Sequence, residues 1–325
     1  MPLSGSGKAM RVLVSEYMTA LGIGRDSASP EHGMYREGRA MRDAVVADFA
    51  AIPGVEVLES SEEAGDWSLV IAPESDGILS RAVQRVPDLG NKHLGPSPDA
   101  IELTSDKLAL SQHWREHKVP TPATTDREPT RCEVFPVVWK PQDGAGSTAT
   151  FKLNSAFDVA SAKARLAAEN HTGPMILQEF VPGRAASVAF LCGPRGQVPL
   201  LPTFQLLSDD GRFKYLGGEL PIPPQFAERA VRLGQRAVDC VPGLLGYVGV
   251  DLVLGNVADG SNDYAIEINP RLTTSYVGLR ALADFNIAEA MLQAAKGEPL
   301  DPLRWKPGRV RFGPDGSVQS ILAES

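Results

Sequence analysis

The residues most able to act together chemically are Asp251, in YVGVDLVLG, and Glu267 and Asn269, in YAIEINPRLTTS. Side chains alternate faces along a strand. In the first segment Tyr247, Gly249, Asp251 and Val253 share one face, opposite the apolar Val248, Val250, Leu252 and Leu254. In the second, Ala265, Glu267 and Asn269 oppose Tyr264, Ile266 and Ile268. The turn GNVADGSND lets the two strands pair as a hairpin with Asp251 facing Glu267 and Asn269. Two carboxylates that close repel, and one tends to keep its proton unless a cation intervenes. Mg²⁺ (or Mn²⁺) suits such an oxygen set, with water and nucleotide phosphates as its remaining ligands. Read alone, the pair is better taken as an acidic hairpin face in water.

It does not stand alone. Lys140 ends the apolar run VVW and enters PQDGAGST, where Gly144 and Gly146 let the backbone fold over an anion and Ser147 and Thr148 add hydroxyls. Lys107 opens a preceding helix. Two lysines and a glycine loop complement the triphosphate that the metal face would also neutralise. LQEFVPG offers an apolar strand ending at Glu179, Phe180 and Val181, whose backbone can meet an adenine edge while Glu179 takes the amino group or ribose.

The elements that must position these residues follow from periodicity. Strand-like runs in RVLV, VEVL and WSLVIAP alternate with the helical spacing of Met41, Val45, Phe49 and Ile52 and with GILSRAVQRV, which predicts a doubly wound parallel α/β lobe over residues 10–98. A flexible leader precedes it at residues 1–9. Residues 99–180 read as a central lid subdomain and 181–325 as a C-terminal, mainly antiparallel subdomain carrying the metal face. Thr104 or Ser105 caps the helix of KLALSQHWRE in this reading, and LGGE at 216–219 is a second candidate lid. The last segment suggests a short closing hairpin.

Composition narrows the function classes. With 32 Lys plus Arg against 40 Asp plus Glu, the net charge of −8 disfavours a nucleic-acid protein. No apolar run approaches a membrane span and no secretory leader is visible, so a cytoplasmic protein is expected. Cys132, Cys192 and Cys240, odd in number and far apart, read as reduced thiols. Several motifs are decoys. GSGKAM lacks the Ser or Thr of a phosphate loop, GIG lacks a third glycine, and His113 with His117 lacks an evident third metal ligand.

In order along the chain, DK at 106–107, VVWKPQDGAGS, LQEFVPG, GVDLVL and IEINPRLTTS resemble the motifs of the ATP-grasp superfamily of carboxylate-amine ligases. The resemblance implies an α+β fold with the ATP site between two lobes. It has Lys107 and Lys140 contacting phosphates, Glu179 to Val181 forming the adenine hinge, Asp251, Glu267 and Asn269 holding Mg²⁺, and Arg271 reaching the transferred phosphoryl group. SEYMTALG, REGRAMRDAVVADF, IAPESDGIL and YLGGELPIP are most similar to the tyramine-glutamate ligase group of methanofuran biosynthesis. That implies glutamate, activated at its γ-carboxylate as an acyl phosphate, and tyramine or tyrosine as the amine. Arg184 and Arg280 are then candidate clamps for the α-carboxylate, with surface arginines as the alternative. Thr274 and Ser275 turn toward the substrate space. Tyr17, Tyr215 and Tyr276 line an aromatic pocket or pack in the core. The partners are small amino acids and amines, and a homodimer is among the assemblies this reading allows. The rival readings are a dipeptide ligase of the D-alanine type, a biotin-type carboxylase subunit and a nucleotide-binding module without turnover.

Overall fold

A computed structural model of the chain describes residues 9–58, 64–144 and 146–321. The GSGKAM stretch lies outside the described residues up to its lysine. The N-terminal part comprises β1 (Met10–Glu16), α1 (Tyr17–Leu21), α2 (His32–Ala50), β2 (Val55–Leu58), β3 (Trp67–Ile71), α3 (Ile78–Gln84) and β4 (Lys92–His93). Its strands pair in parallel in the order β2-β1-β3-β4. Helical crossovers supply the long connections that parallel pairing requires. Met41, Val45 and Phe49, one stripe of α2, bury against this sheet.

Next come α4 (Pro98–Ser105) and α5 (Lys107–Glu116). Thr104 and Ser105 belong to the earlier helix, and Asp106 caps the later one, its carboxylate accepting from the Leu108 and Ala109 N–H groups at 3.0 Å. These two helices touch the lid, the Lys107 N–H donating to the Gln142 carbonyl at 2.9 Å, but they bury their apolar faces outside its core. Ala100, Leu110 and Trp114 enter the core of the large C-terminal sheet, because that sheet offers the apolar face they match.

The lid is smaller: β5 (Thr124–Thr125), β6 (Val137–Pro141), β7 (Phe151–Leu153), α6 (Asp158–Ala168) and β8 (Met175–Glu179), in the antiparallel order β5-β8-β6-β7. Trp139, Phe151, Leu153 and Val159 form its own core. The large sheet follows with β9 (Arg184–Gly193), β10 (Gly196–Pro199), β11 (Thr203–Leu207), β12 (Tyr215–Leu220), α7 (Pro224–Asp239), β13 (Gly246–Leu254), β14 (Tyr264–Asn269), α8 (Ser275–Leu282), α9 (Ile287–Lys296), β15 (Val310–Phe312) and β16 (Val318–Ser320). Its strands run β14-β13-β9-β11-β12-β15-β16, with β10 paired on β9.

The closing hairpin, β15 and β16, thus extends this sheet. LGGE is no lid: Gly218 pairs with Phe312, and a Cβ at Gly217 would stand 2.1 Å from the Phe312 carbonyl oxygen. One face of the sheet packs on α4, α5 and α7; the other shares a core with β1, β3, α2, α8 and α9. That shared core fixes the N-terminal sheet against the strands that carry Asp251 and Glu267. Among the described residues no helix is long and apolar enough to cross a membrane.

Candidate active site

The hairpin of β13 and β14 forms in the expected register at its functional end, Gly249 opposite Asn269 and Asp251 opposite Glu267. It departs one residue later. Leu252 pairs with Ala265, so Ile266 is the extra residue of a β-bulge and the strict alternation breaks there. Ala265 therefore joins Ile268, Val250 and Leu252 in the apolar core rather than sharing the carboxylate face.

Asp251 is held by amide groups, with Gln205 Nε2 donating to Oδ1 at 2.9 Å and Asn269 Nδ2 donating to Oδ2 at 3.1 Å. Burial and the neighbouring Glu267 push its carboxyl up to about 8. Burial also acts on Glu267, but Lys107 and Lys140 overcome it and hold that carboxyl below the usual range. Lys107 Nζ lies 3.6 Å from Glu267 Oε2. Lys140 is 8% exposed; burial lowers its ammonium to about 8, with Lys107 adding to the fall and Glu267 and Asp251 opposing it. The donor set facing the cavity is oxygen-rich, carboxylate and carboxamide, which fits a hard divalent cation and not a soft one.

Arg271 sits beyond Pro270, where β14 ends. Its Nη2 donates to Glu74 Oε2 at 3.2 Å, and its Nε lies 2.9 Å from Glu74 Oε1. Burial opposes its charge, but Glu74, with Glu37 and Glu267, raises it above an ordinary arginine. Glu74 follows β3 in the N-terminal sheet and was not singled out from the sequence. Together with Lys107, Gly144, Glu267 and Asn269 it lines one small cavity.

The glycine loop reaches this cavity from the lid. Lys107 Nζ donates to the Gly144 carbonyl at 2.8 Å, and the Asp76 N–H donates to Asp143 Oδ2 at 2.9 Å. Gly144 and Gly146 have φ of 111° and 76°, values that favour glycine. Ser147 donates its hydroxyl to the Phe213 carbonyl at 2.6 Å. At the hinge, the Glu179 and Phe180 N–H groups donate to Ala123 and Pro136 carbonyls, so two backbone donors expected for adenine are engaged within the protein. The Phe180 ring stacks on Phe213 at 6.2 Å, with Lys152 Nζ 3.7 Å from its centroid. Phe213 and Lys152, from a loop and the lid, had no sequence signal beyond residue type.

The substrate candidates scatter. Arg184 does not face the carboxylates. One residue out of phase with Ser187, which pairs with Asp251, it lies on the opposite side of the sheet with its guanidinium 3.6 Å from the Phe204 ring centroid. Arg280 is also elsewhere, its Nε donating to Asp48 Oδ1 at 2.6 Å. Tyr276 is a core residue whose hydroxyl donates to the same Asp48 at 2.7 Å. Thr274 donates to Glu37, and Ser275 hydrogen-bonds Tyr247 at 2.8 Å, so both hydroxyls are engaged beside the site. Tyr17, half-buried at the start of α1, packs against the cluster that holds Val70, Ala72 and Leu79. Tyr215 is half-buried on β12, with burial, Glu37 and Asp251 all raising its phenol. At His113 and His117 the structure brings in a third ligand type, the Cys240 thiol, all three ligand atoms within 4.8 Å. Both rings, however, already engage backbone carbonyls, of Cys240 at 2.7 Å and His113 at 2.8 Å.

A family model described as an ATP-grasp domain matches residues 104–275, and one described as a pre ATP-grasp 3 domain matches residues 39–101. The chain is 32% identical over 235 residues to tyramine–L-glutamate ligase of Methanocaldococcus fervens, covering 72% of this chain and 68% of that protein. It is 27% identical over 278 residues to D-alanine–D-alanine ligase of Francisella philomiragia, covering 80% of this chain and 90% of that one. An ATP-grasp superfamily structure from Archaeoglobus fulgidus superposes with a TM-score of 0.67 at 24% identity, covering 94% of this chain and 92% of that one.

Proposed function

This chain belongs to the ATP-grasp family and is an ATP-dependent carboxylate-amine ligase of the tyramine-glutamate ligase group, and from that premise we propose that it joins the γ-carboxylate of glutamate to tyramine or tyrosine through an acyl phosphate. The observation that carries the reading is the half-buried pair of facing carboxylates, Asp251 and Glu267, with Lys107 and Lys140 acting on Glu267 and Arg271 close by. Such a set has little covalent chemistry to perform. Phosphoryl transfer needs positioning and charge neutralisation, and these residues supply both.

In this reading Asp251, Glu267 and Asn269 would hold Mg²⁺, which would supply charge neutralisation for the phosphates. Lys107 and Lys140 bind phosphate oxygens, Lys107 first releasing the Gly144 carbonyl, while Gly144, Gly146 and Ser147 fold over the phosphates. Glu179, Phe180 and Val181 flank the adenine, with Phe180 as the stacking surface. Arg271 stabilises the phosphoryl group as the substrate carboxylate attacks it. Because Arg184 and Arg280 lie apart from this cluster, neither is retained as the clamp for the glutamate α-carboxylate. The pathway is that of a C1-carrier cofactor, as for the methanofuran ligase group.

The likeness to D-alanine–D-alanine ligase keeps a dipeptide ligase as the second reading. An ADP-release screen of glutamate, D-alanine and other amino acids against tyramine, tyrosine and D-alanine, with mass detection of products, separates the two. Glutamate with an aromatic amine is expected to give an amide of the summed mass less water. Turnover confined to D-alanine would replace the first reading with the second, and ATP binding without turnover for any pair would rule out both.

A further inference from the structure

Once phosphates and metal are assigned, one buried carboxylate has no role. Glu74 is 5% exposed, and its Oε1, though 2.9 Å from Arg271 Nε, has no hydrogen-bond partner among the described residues. Its position is not incidental. The order β2-β1-β3-β4 means the chain steps to one side of β1 and then to the other, so the topological switch lies between β1 and β3. Ligands of open parallel sheets bind in the crevice outside the carboxyl ends of the strands at that switch. Glu74 stands just beyond β3, and Tyr17 begins α1 just beyond β1.

Charge balance gives Glu74 its task. In the ligase reading, on which this inference rests, Asp251 and Glu267 gain a cation while Lys107, Lys140 and Arg271 gain phosphate oxygens. Arg271 is the cation paired with Glu74. When Arg271 turns to the phosphoryl group, Glu74 is left as a buried carboxylate without a counter-charge, an unfavourable state. A positively charged ligand arriving there restores balance, and the acceptor amine reaches the enzyme as an ammonium ion. We propose that Glu74 is the specificity residue for the acceptor, binding its ammonium group in the crevice between β1 and β3.

The test separates charge recognition from support of Arg271. Hydroxylamine, uncharged at mildly alkaline pH, traps the activated acid as a hydroxamate without needing an ammonium site. Glu74→Gln is expected to form hydroxamate within about threefold of the wild type, yet to lose about a hundredfold in kcat/KM for the amine, the scale of a buried charge pair deprived of one partner. Glu74→Asp, which keeps the charge, should recover part of the loss. If hydroxamate and amide formation fall together in Glu74→Gln, the residue acts only through Arg271 and the proposal is overturned; unchanged amine kinetics overturn it equally. If Glu74→Gln does not fold, the Asp variant decides by the same comparison. A wild type that forms no hydroxamate from any amino acid would instead refute the ligase reading, and this inference with it.

Discussion

Asp251 and Glu267 face each other across a ladder, and their ionisation is divided by what lies behind each. Asp251 has Gln205 and Asn269, neutral donors, and burial keeps its proton; Glu267 has two lysines and stays charged. In the proposed metal role, Asp251 would give up that proton to a divalent cation held with Glu267, which would relieve the repulsion. Glu267→Gln removes the charged member of the pair. We expect at least about a hundredfold loss of ligation and a raised Mg²⁺ requirement, with the ligand-free melting temperature within a few degrees of the wild type because the lysines remain close to Asp251 and Gly144. Full activity at ordinary Mg²⁺ would remove Glu267 from the metal site. These residues were legible because strand alternation and a lysine before a glycine loop are local signals. Glu74 was not: it follows a strand end, and the pairing that gives it meaning, with Arg271, spans 197 positions.

At the scale of elements, the hairpin carries the site only if its long turn is fixed. Arg229, on α7, donates through Nε to Asp263 Oδ2 at 2.9 Å and through Nη2 to the Gly255 carbonyl at 2.7 Å, and Asp263 Oδ1 accepts from the Gly255 N–H at 2.8 Å. Both partners are buried, so the pair ties the start and end of the turn to a helix. Asp263→Asn leaves the arginine charge uncompensated, which typically costs about 3 to 5 kcal/mol. We expect a loss of that size in urea unfolding; a change under about 1 kcal/mol would mean the clamp is dispensable. The hairpin itself could be read from two alternating runs and a turn of fixed length. Its bulge at Ile266 could not, since nothing in the local pattern distinguishes Ala265 facing the core from Ala265 facing the site. The core that α4 and α5 enter was illegible for a similar reason: an apolar stripe says that a helix packs, and not on which sheet.

At the scale of the whole molecule, three sheets meet at one point. The lid brings residues 142–144, the N-terminal sheet brings 74–76, and the large sheet brings Glu267 and Arg271. The turn after β3 therefore touches two other parts at once: Glu74 holds Arg271, and the Asp76 N–H holds Asp143 of the glycine loop. Asp76 has a φ of 53°, a conformation that Asp and Asn tolerate better than most side chains and that aims its N–H at the loop. In the proposed reading, nucleotide entering beneath the loop would break the Lys107 contact with Gly144 and could leave the Asp143 latch closed or open. Asp143→Ala isolates the latch. Losing one partly exposed hydrogen bond is worth about 0.5–1.5 kcal/mol, so the amides of Asp76 and of the loop around Gly144 and Gly146 should exchange about two- to tenfold faster without nucleotide. Saturating ATP analogue with Mg²⁺ should erase the difference, because phosphate then holds the loop. Equal exchange in both proteins without nucleotide would show that the lid and the N-terminal sheet are not coupled through this turn.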